Sequence, residues 1–113
     1  MNDCLFCKIT AGKINSSIRY EDKLIIAFDD INPKAPVHIL IVPKMHIEST
    51  ATLKEGDEEL IGYMIKKASE LAEQLNIASK GYRLVFNTRQ HGGQFIDHLH
   101  LHLIGGQKLG GMV

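Results

Sequence analysis

Apolar and polar positions divide the chain into short alternating runs and one long helical segment. Leu60, Ile61, Met64, Ile65, Ala68, Leu71, Ala72 and Leu75 recur at helical spacing. They predict a helix over Glu58–Leu75, with Lys66 and Lys67 facing out, Asp57 capping through its carboxylate, and Glu58 and Glu59 at the positive end. Shorter runs predict five strands: Ile18–Glu21, Leu24–Phe28, His38–Val42, Tyr82–Asn87 and a last one beginning at His98. The first two, joined at Glu21-Asp22-Lys23, read as a hairpin. Pro43 is expected to stop the third, and Pro33 and Pro36 confine the loop before it. Cys4–Ile9 reads as one or two helical turns ending near Gly12. Many strands and few helices give an α+β fold. Its antiparallel sheet has five strands, covered by the long helix, with a short N-terminal helix besides.

The last strand carries the chemistry. His98, Leu99, His100, Leu101, His102 and Leu103 alternate strictly. On a strand the three imidazoles share one face and the leucines point into the core. Alternate residues lie roughly 6.6 Å apart, so His98 and His102 are separated by roughly 13 Å. That spacing argues against one ion held by all three and suits a row laid along an extended substrate. Histidine titrates near pH 6.5 and can be base, acid or neutral nucleophile.

At 113 residues the chain is expected to be one domain, 1–113. Thirteen basic residues balance thirteen acidic ones, which gives neither a nucleic-acid footprint nor a polybasic membrane patch. No apolar run approaches the roughly 20 residues of a membrane span. Met1-Asn2-Asp3-Cys4 lacks a basic flank followed by an apolar stretch, so a signal peptide is not expected. A cytoplasmic protein is expected. There the pair Cys4 and Cys7 would be thiols or metal ligands rather than a structural disulfide. Spacing alone leaves a redox pair, buried thiols and metal ligation open.

The run His98–Ile104 resembles the signature of the histidine triad (HIT) family. The resemblance extends over Cys4–Ile9, Phe28–His38, Ile41–His46, and Gly81–Asn87 running into Gly92-Gly93-Gln94. It is closest to the bacterial, Hint-like branch, whose members hydrolyse purine nucleoside phosphoramidates. The resemblance implies a HIT-like fold and a homodimer in which two five-stranded sheets join. It makes His100 the nucleophile, its other ring nitrogen oriented by a backbone carbonyl nearby on the strand, forming a nucleotidyl-imidazole that water then hydrolyses. His102 would bind the phosphate or leaving group and supply its proton, and His38 would complete the histidine chain. Asp30 would accept from the ribose hydroxyls. Asn87, Gly93 and Gln94 would contact the phosphate, and Phe6, Ile9, Phe28, Ile31 and Leu40 would form a slot for the purine. Cys4, Cys7, His46 and His98 match positions that hold zinc in some bacterial members. One structural Zn²⁺ per chain is implied, with no metal needed for the chemistry. It would tie the N-terminal segment to the catalytic strand.

Phe95 departs from the pattern, since many relatives carry serine after the glutamine; an altered leaving-group preference follows. Asp97 stands where relatives are often aromatic. The tail Gln107–Val113 lacks the tryptophan of some relatives. Two other readings fit the same residues: a dinucleoside polyphosphate hydrolase or nucleotide phosphorylase using His100, and a nucleotide-binding scaffold with vestigial activity.

Overall fold

The computed structural model describes residues 3–112; Met1, Asn2 and Val113, the end of the tail, lie outside the described residues. Five strands form one antiparallel sheet: β1 (Ile18–Glu21), β2 (Ile25–Asp29), β3 (Val37–Pro43), β4 (Tyr82–Phe86) and β5 (Leu101–Gly105). Their spatial order is β1-β2-β3-β5-β4. A short helix, α1 (Leu5–Thr10), precedes the sheet, and the long helix α2 (Glu58–Gln74) lies between β3 and β4. This is the α+β HIT-like arrangement expected from the sequence.

The period of two sorts each strand between two cores. Ile25, Ala27, Ile39, Ile41, Leu101 and Leu103 face α2 and pack with Met64, Ala68, Leu71 and Ala72. Ile26, Phe28, Leu40 and Val42 face the other way and pack with Phe6 and Ile9 of α1. The sheet is therefore covered on both faces in its central strands, and the histidines emerge on the α1 side.

Several boundaries differ from the sequence reading. β2 begins one residue later and includes Asp29, and β3 gains Val37 and Pro43. Pro43 ends β3 as its last member, paired opposite Ile25, and is not the first residue beyond it. α2 ends at Gln74 and β4 at Phe86. Asp57 sits at the N-cap of α2 but makes no side-chain cap bond there. Its backbone is already helical (φ −72°, ψ −15°), and its carboxylate accepts from the Lys54 amide at 2.8 Å. Lys67 does not face out like Lys66: its ammonium lies 4.2 Å from the centre of the Tyr20 ring and pairs with Glu70 at 2.7 Å. Ile65, counted among the apolar positions of the helix, is exposed.

The largest difference is at the histidines. β5 starts at Leu101, which pairs with Ile41, so His98 and His100 precede the ladder. The alternation nevertheless holds: Leu99, Leu101 and Leu103 are buried in the core under α2. The ladder stops because its partner strand ends in Pro43, which has no N–H to offer. Two other bonds replace it. The Pro43 carbonyl bonds to the His98 ring at 2.8 Å, and the Leu99 amide donates to Ile47 at 2.6 Å.

Candidate active site and metal cluster

Backbone carbonyls and amides fix the protonation pattern of the buried histidines. At His100, Nδ1 lies 2.7 Å from the His98 carbonyl oxygen. A carbonyl only accepts, so Nδ1 carries the proton and Nε2 holds a free lone pair. Burial lowers the His100 pKa, against smaller raising effects of the His98 carbonyl and Asp30. The ring is thus neutral near pH 7, with an unshared electron pair on Nε2.

His38 and His102 form the second arm. The Lys34 amide donates to His38 Nδ1 at 3.0 Å, which leaves the proton on His38 Nε2. That atom lies 2.9 Å from His102 Nδ1. His102 therefore accepts at Nδ1 and carries its proton on Nε2. Its ring centre is 4.9 Å from that of His100, close enough for both to reach one phosphoryl group. Burial, then the neighbouring His100 and His38, push the His102 pKa down to about 4, with Asp30 opposing. Burial also lowers His38, with Asp30 raising it and Lys34 lowering it. The Asp30 carboxylate stands 3.4 Å from His38 Nε2, while its other oxygen accepts from the Asn32 amide at 2.8 Å.

His98 turns elsewhere. Its Nε2 donates to Pro43, so Nδ1 is a lone pair. That lone pair points at Cys4 Sγ (3.2 Å), Cys7 Sγ (3.5 Å) and His46 Nδ1 (3.1 Å), and Cys7 Sγ lies 3.3 Å from the same His46 atom. A tetrahedral zinc with ordinary Zn–N and Zn–S bonds would have N–N and N–S edges of about 3.3–3.6 Å. The four donor atoms have the separations and chemistry of a closed Cys₂His₂ site. Burial raises the Cys4 pKa, so a bound cation would be needed to hold that sulfur as thiolate. Asp30, His38 and His102 also converge, but there a proton already sits between the two imidazoles. That group reads as a proton chain.

The other expected contacts divide. Phe6, Ile9, Phe28 and Leu40 come together, but as buried residues of the core beneath α1. Ile31 is 87% exposed and is not part of that core. Asn87 donates one amide hydrogen to Gly92 O at 2.7 Å; an amide has a second to offer a ligand. Gly93 adopts φ +82°, where a side chain would be strained. Gln94 is placed differently from the expectation of a phosphate donor. Its NH₂ donates to the Glu48 and Ile96 carbonyls at 2.7 and 2.9 Å. Its Oε1 accepts from Arg89 N at 2.7 Å. Both amide hydrogens are engaged within the chain, and Gln94 braces the glycine loop. It clamps Arg89, whose φ of 58° and ψ of −174° belong to a region that favours glycine.

Sequence reasoning foresaw one of the backbone partners and missed two. The family resemblance implied a backbone carbonyl orienting the His100 ring, and His98 supplies it. The Lys34 amide and the Pro43 carbonyl set the tautomers of His38 and His98, and no side-chain pattern marks them. The tight Pro33–Pro36 loop was the one available signal that the chain folds back over His38. It also missed that Phe6 meets His100 edge-on, ring centres 5.0 Å apart.

Fold and site together define a HIT-like α+β protein with a neutral imidazole presenting a lone pair, a second imidazole presenting N–H, and a closed four-donor cluster beside them. The chain belongs to the histidine triad (HIT) family. The family model described as scavenger mRNA decapping enzyme C-term binding matches residues 3–112. A purine nucleoside phosphoramidase of Escherichia coli (strain K12) is 46% identical over 111 residues, covering 98% of this chain and 93% of that protein. A HIT family hydrolase from Legionella pneumophila superposes with a TM-score of 0.92 at 46% identity, over 94% of this chain and 95% of that one. A zinc-bound histidine triad family protein from Mycobacterium smegmatis superposes with a TM-score of 0.82 at 25% identity, over 96% and 80%.

Proposed function

We propose that this protein is a purine nucleoside phosphoramidase, a hydrolase that cleaves the P–N bond at a nucleotide α-phosphate. The carrying observation is the paired tautomer assignment: a free Nε2 lone pair on His100 beside an N–H on His102. The 46% identity to the Escherichia coli enzyme supports the choice of substrate.

In this reading His100 Nε2 attacks phosphorus as the bond to the amine breaks. The departing nitrogen takes a proton from His102, which must be a cation to give one. The phosphoryl anion supplies the countercharge that favours that cation. The product is a nucleotidyl-imidazole whose charge is shared through Nδ1–H with the His98 carbonyl. Water then attacks phosphorus, His102 takes its proton, and the P–Nε2 bond breaks to release nucleoside monophosphate. Asp30 takes the ribose hydroxyls, and Gly93 and Asn87 take the phosphoryl oxygens. The purine lies against the surface over Phe6, Ile9, Phe28 and Leu40.

The same reading makes residues 1–113 one HIT domain with one structural zinc on Cys4, Cys7, His46 and His98. A closed site of this kind staples the chain and leaves no open position for water. β4 is an edge strand of the sheet, and an unpaired edge is a template for pairing. We take it as the seam of a homodimer, which sedimentation at several concentrations would test.

The functional test is AMP release from adenosine 5'-phosphoramidate or an AMP–lysine conjugate, wild type beside His100→Ala. Release by wild type that collapses in the variant supports the reading. Equal rates remove His100 as nucleophile, and release only from diadenosine polyphosphates favours the alternative hydrolase.

A further inference from the structure

The nucleophile is not held by the sheet. His98, Leu99 and His100 all lie before the first paired residue of β5. Besides the core packing of Leu99 and the pairing of Leu101 on either side of His100, several contacts of the His100 backbone and ring lead to one place. His98 has two ends with two jobs. Its ring enters the cluster with Cys4, Cys7 and His46. Its carbonyl, 2.7 Å from His100 Nδ1, sets the nucleophile's tautomer. The next amide, Leu99, is tied to Ile47, the neighbour of His46.

A second route runs through α1. Phe6 stands between Cys4 and Cys7 in sequence, is buried, and touches three rings edge-on. Its centre is 5.9 Å from His98, 5.0 Å from His100 and 5.6 Å from Phe28. The two cysteines anchor the turn that presses Phe6 on the nucleophile. α1 has only six residues, too short to hold its place by helix formation alone.

We propose that the Cys4, Cys7, His46 and His98 cluster positions the nucleophile: through the His98 carbonyl and the Phe6 ring, it holds the His100 imidazole in its Nδ1–H tautomer with Nε2 toward the substrate. Phe6 is then a positioning residue and metal occupancy governs catalytic competence. A staple acting only on the fold would change stability and leave folded protein fully active. The kinetic consequence rests on the phosphoramidase reading; the placement of His100 does not.

The experiment compares zinc-loaded wild type, wild type stripped with a chelator, the stripped protein given Zn²⁺ again, and zinc-loaded Phe6→Leu. Imidazole ¹⁵N–¹H NMR reads the tautomer and Nδ1–H exchange of His100 without any substrate. Steady-state kinetics on an AMP-amide read kcat and KM separately. Stripping is expected to mix the His100 tautomers and speed Nδ1–H exchange. It should also lower kcat by about tenfold or more with KM nearly constant, as small misplacements of a reacting group do. Added Zn²⁺ should restore both readouts. Phe6→Leu should keep its zinc and show the same change in His100 to a lesser degree. Stripped protein that stays folded with His100 signals and kcat unchanged overturns the proposal. If stripping unfolds the chain, Phe6→Leu decides: unaltered His100 signals overturn it, and altered ones support it. If no phosphoramidate turns over, the NMR comparison still decides the placement, so the two readings fail separately.

Discussion

Replacing His102 with alanine should slow the loss of an amine leaving group far more than the loss of a stable anion. In the free protein the His102 pKa is pushed down to about 4, chiefly by burial. At pH 7 that leaves about one molecule in a thousand protonated. A phosphoryl anion about 4 Å away, at an effective dielectric of ~20, favours the cation by about 4 kcal/mol, or about three pKa units. His102 is partly exposed, and screening removes some of that gain. Binding thus returns the His102 pKa toward the ordinary histidine range, and a usable fraction of His102 can protonate the amine. General acid catalysis of this kind contributes ~10²–10⁴-fold. The kcat of His102→Ala on an AMP-amine should therefore fall by about 10²–10³. A p-nitrophenyl ester of AMP needs no proton on its leaving group, so its rate should fall by less than about tenfold. Chromatographic AMP release for both substrates across pH makes the comparison. Wild-type kcat on the amine should decline as pH rises through the complex pKa, where the acid form is lost; the ester rate should not. Equal losses on the two substrates, with no difference in pH dependence, would refute the assignment of His102.

Leu103 is fully buried between Ile39 and Leu84 on the neighbouring strands. Leu103→Ala should cost about 3–5 kcal/mol and lower the melting temperature by about 10–20 °C in circular dichroism; a shift of only a few degrees contradicts the packing described. At Asp22, burial raises the carboxyl pKa, but hydrogen bonds from Tyr63, the Ile25 amide, Tyr20 and the Leu24 amide outweigh it and hold the pKa well below the usual range. Its stabilisation is present above the ordinary carboxylate pKa and is lost as pH falls below it. Urea titrations should show Asp22→Asn weaker than wild type near neutrality and the gap closing in acid; a gap independent of pH removes the effect. Protein purified without chelator should contain about one zinc per chain, and Cys4→Ser or Cys7→Ser should lose it; metal analysis finding none would remove the metal site.

Much of this was legible because alternation is a physical signal. Leu99, Leu101 and Leu103 had to share a face opposite the histidines, and they do. The helical spacing of Met64, Ala68, Leu71 and Ala72 placed α2 over that face. The start of β5 was not legible, because it depends on the partner strand ending at Pro43. The Asp57 cap failed because its backbone had already turned helical, a feature propensity does not record. Cys4, Cys7, His46 and His98 were brought together as foreseen, yet nothing in their spacing showed that the His98 carbonyl also governs His100. Gln94 appeared suited to a phosphate, and its side chain instead closes the loop around Arg89. A backbone carbonyl orienting His100 was foreseen from the family resemblance, but the tautomers of His38 and His98 stayed out of reach because the Lys34 amide and the Pro43 carbonyl set them.

The central claim is that His100 Nε2 becomes bonded to phosphorus during turnover. The direct measurement is rapid alkaline quenching of wild type in its first turnovers on an AMP-amide, followed by peptide mapping by mass spectrometry. The account predicts a nucleotidyl group on His100, absent from His100→Ala and more abundant when the water step is slowed. A nucleotidyl group on His102 or His38, or AMP release at wild-type rate from His100→Ala, would contradict it.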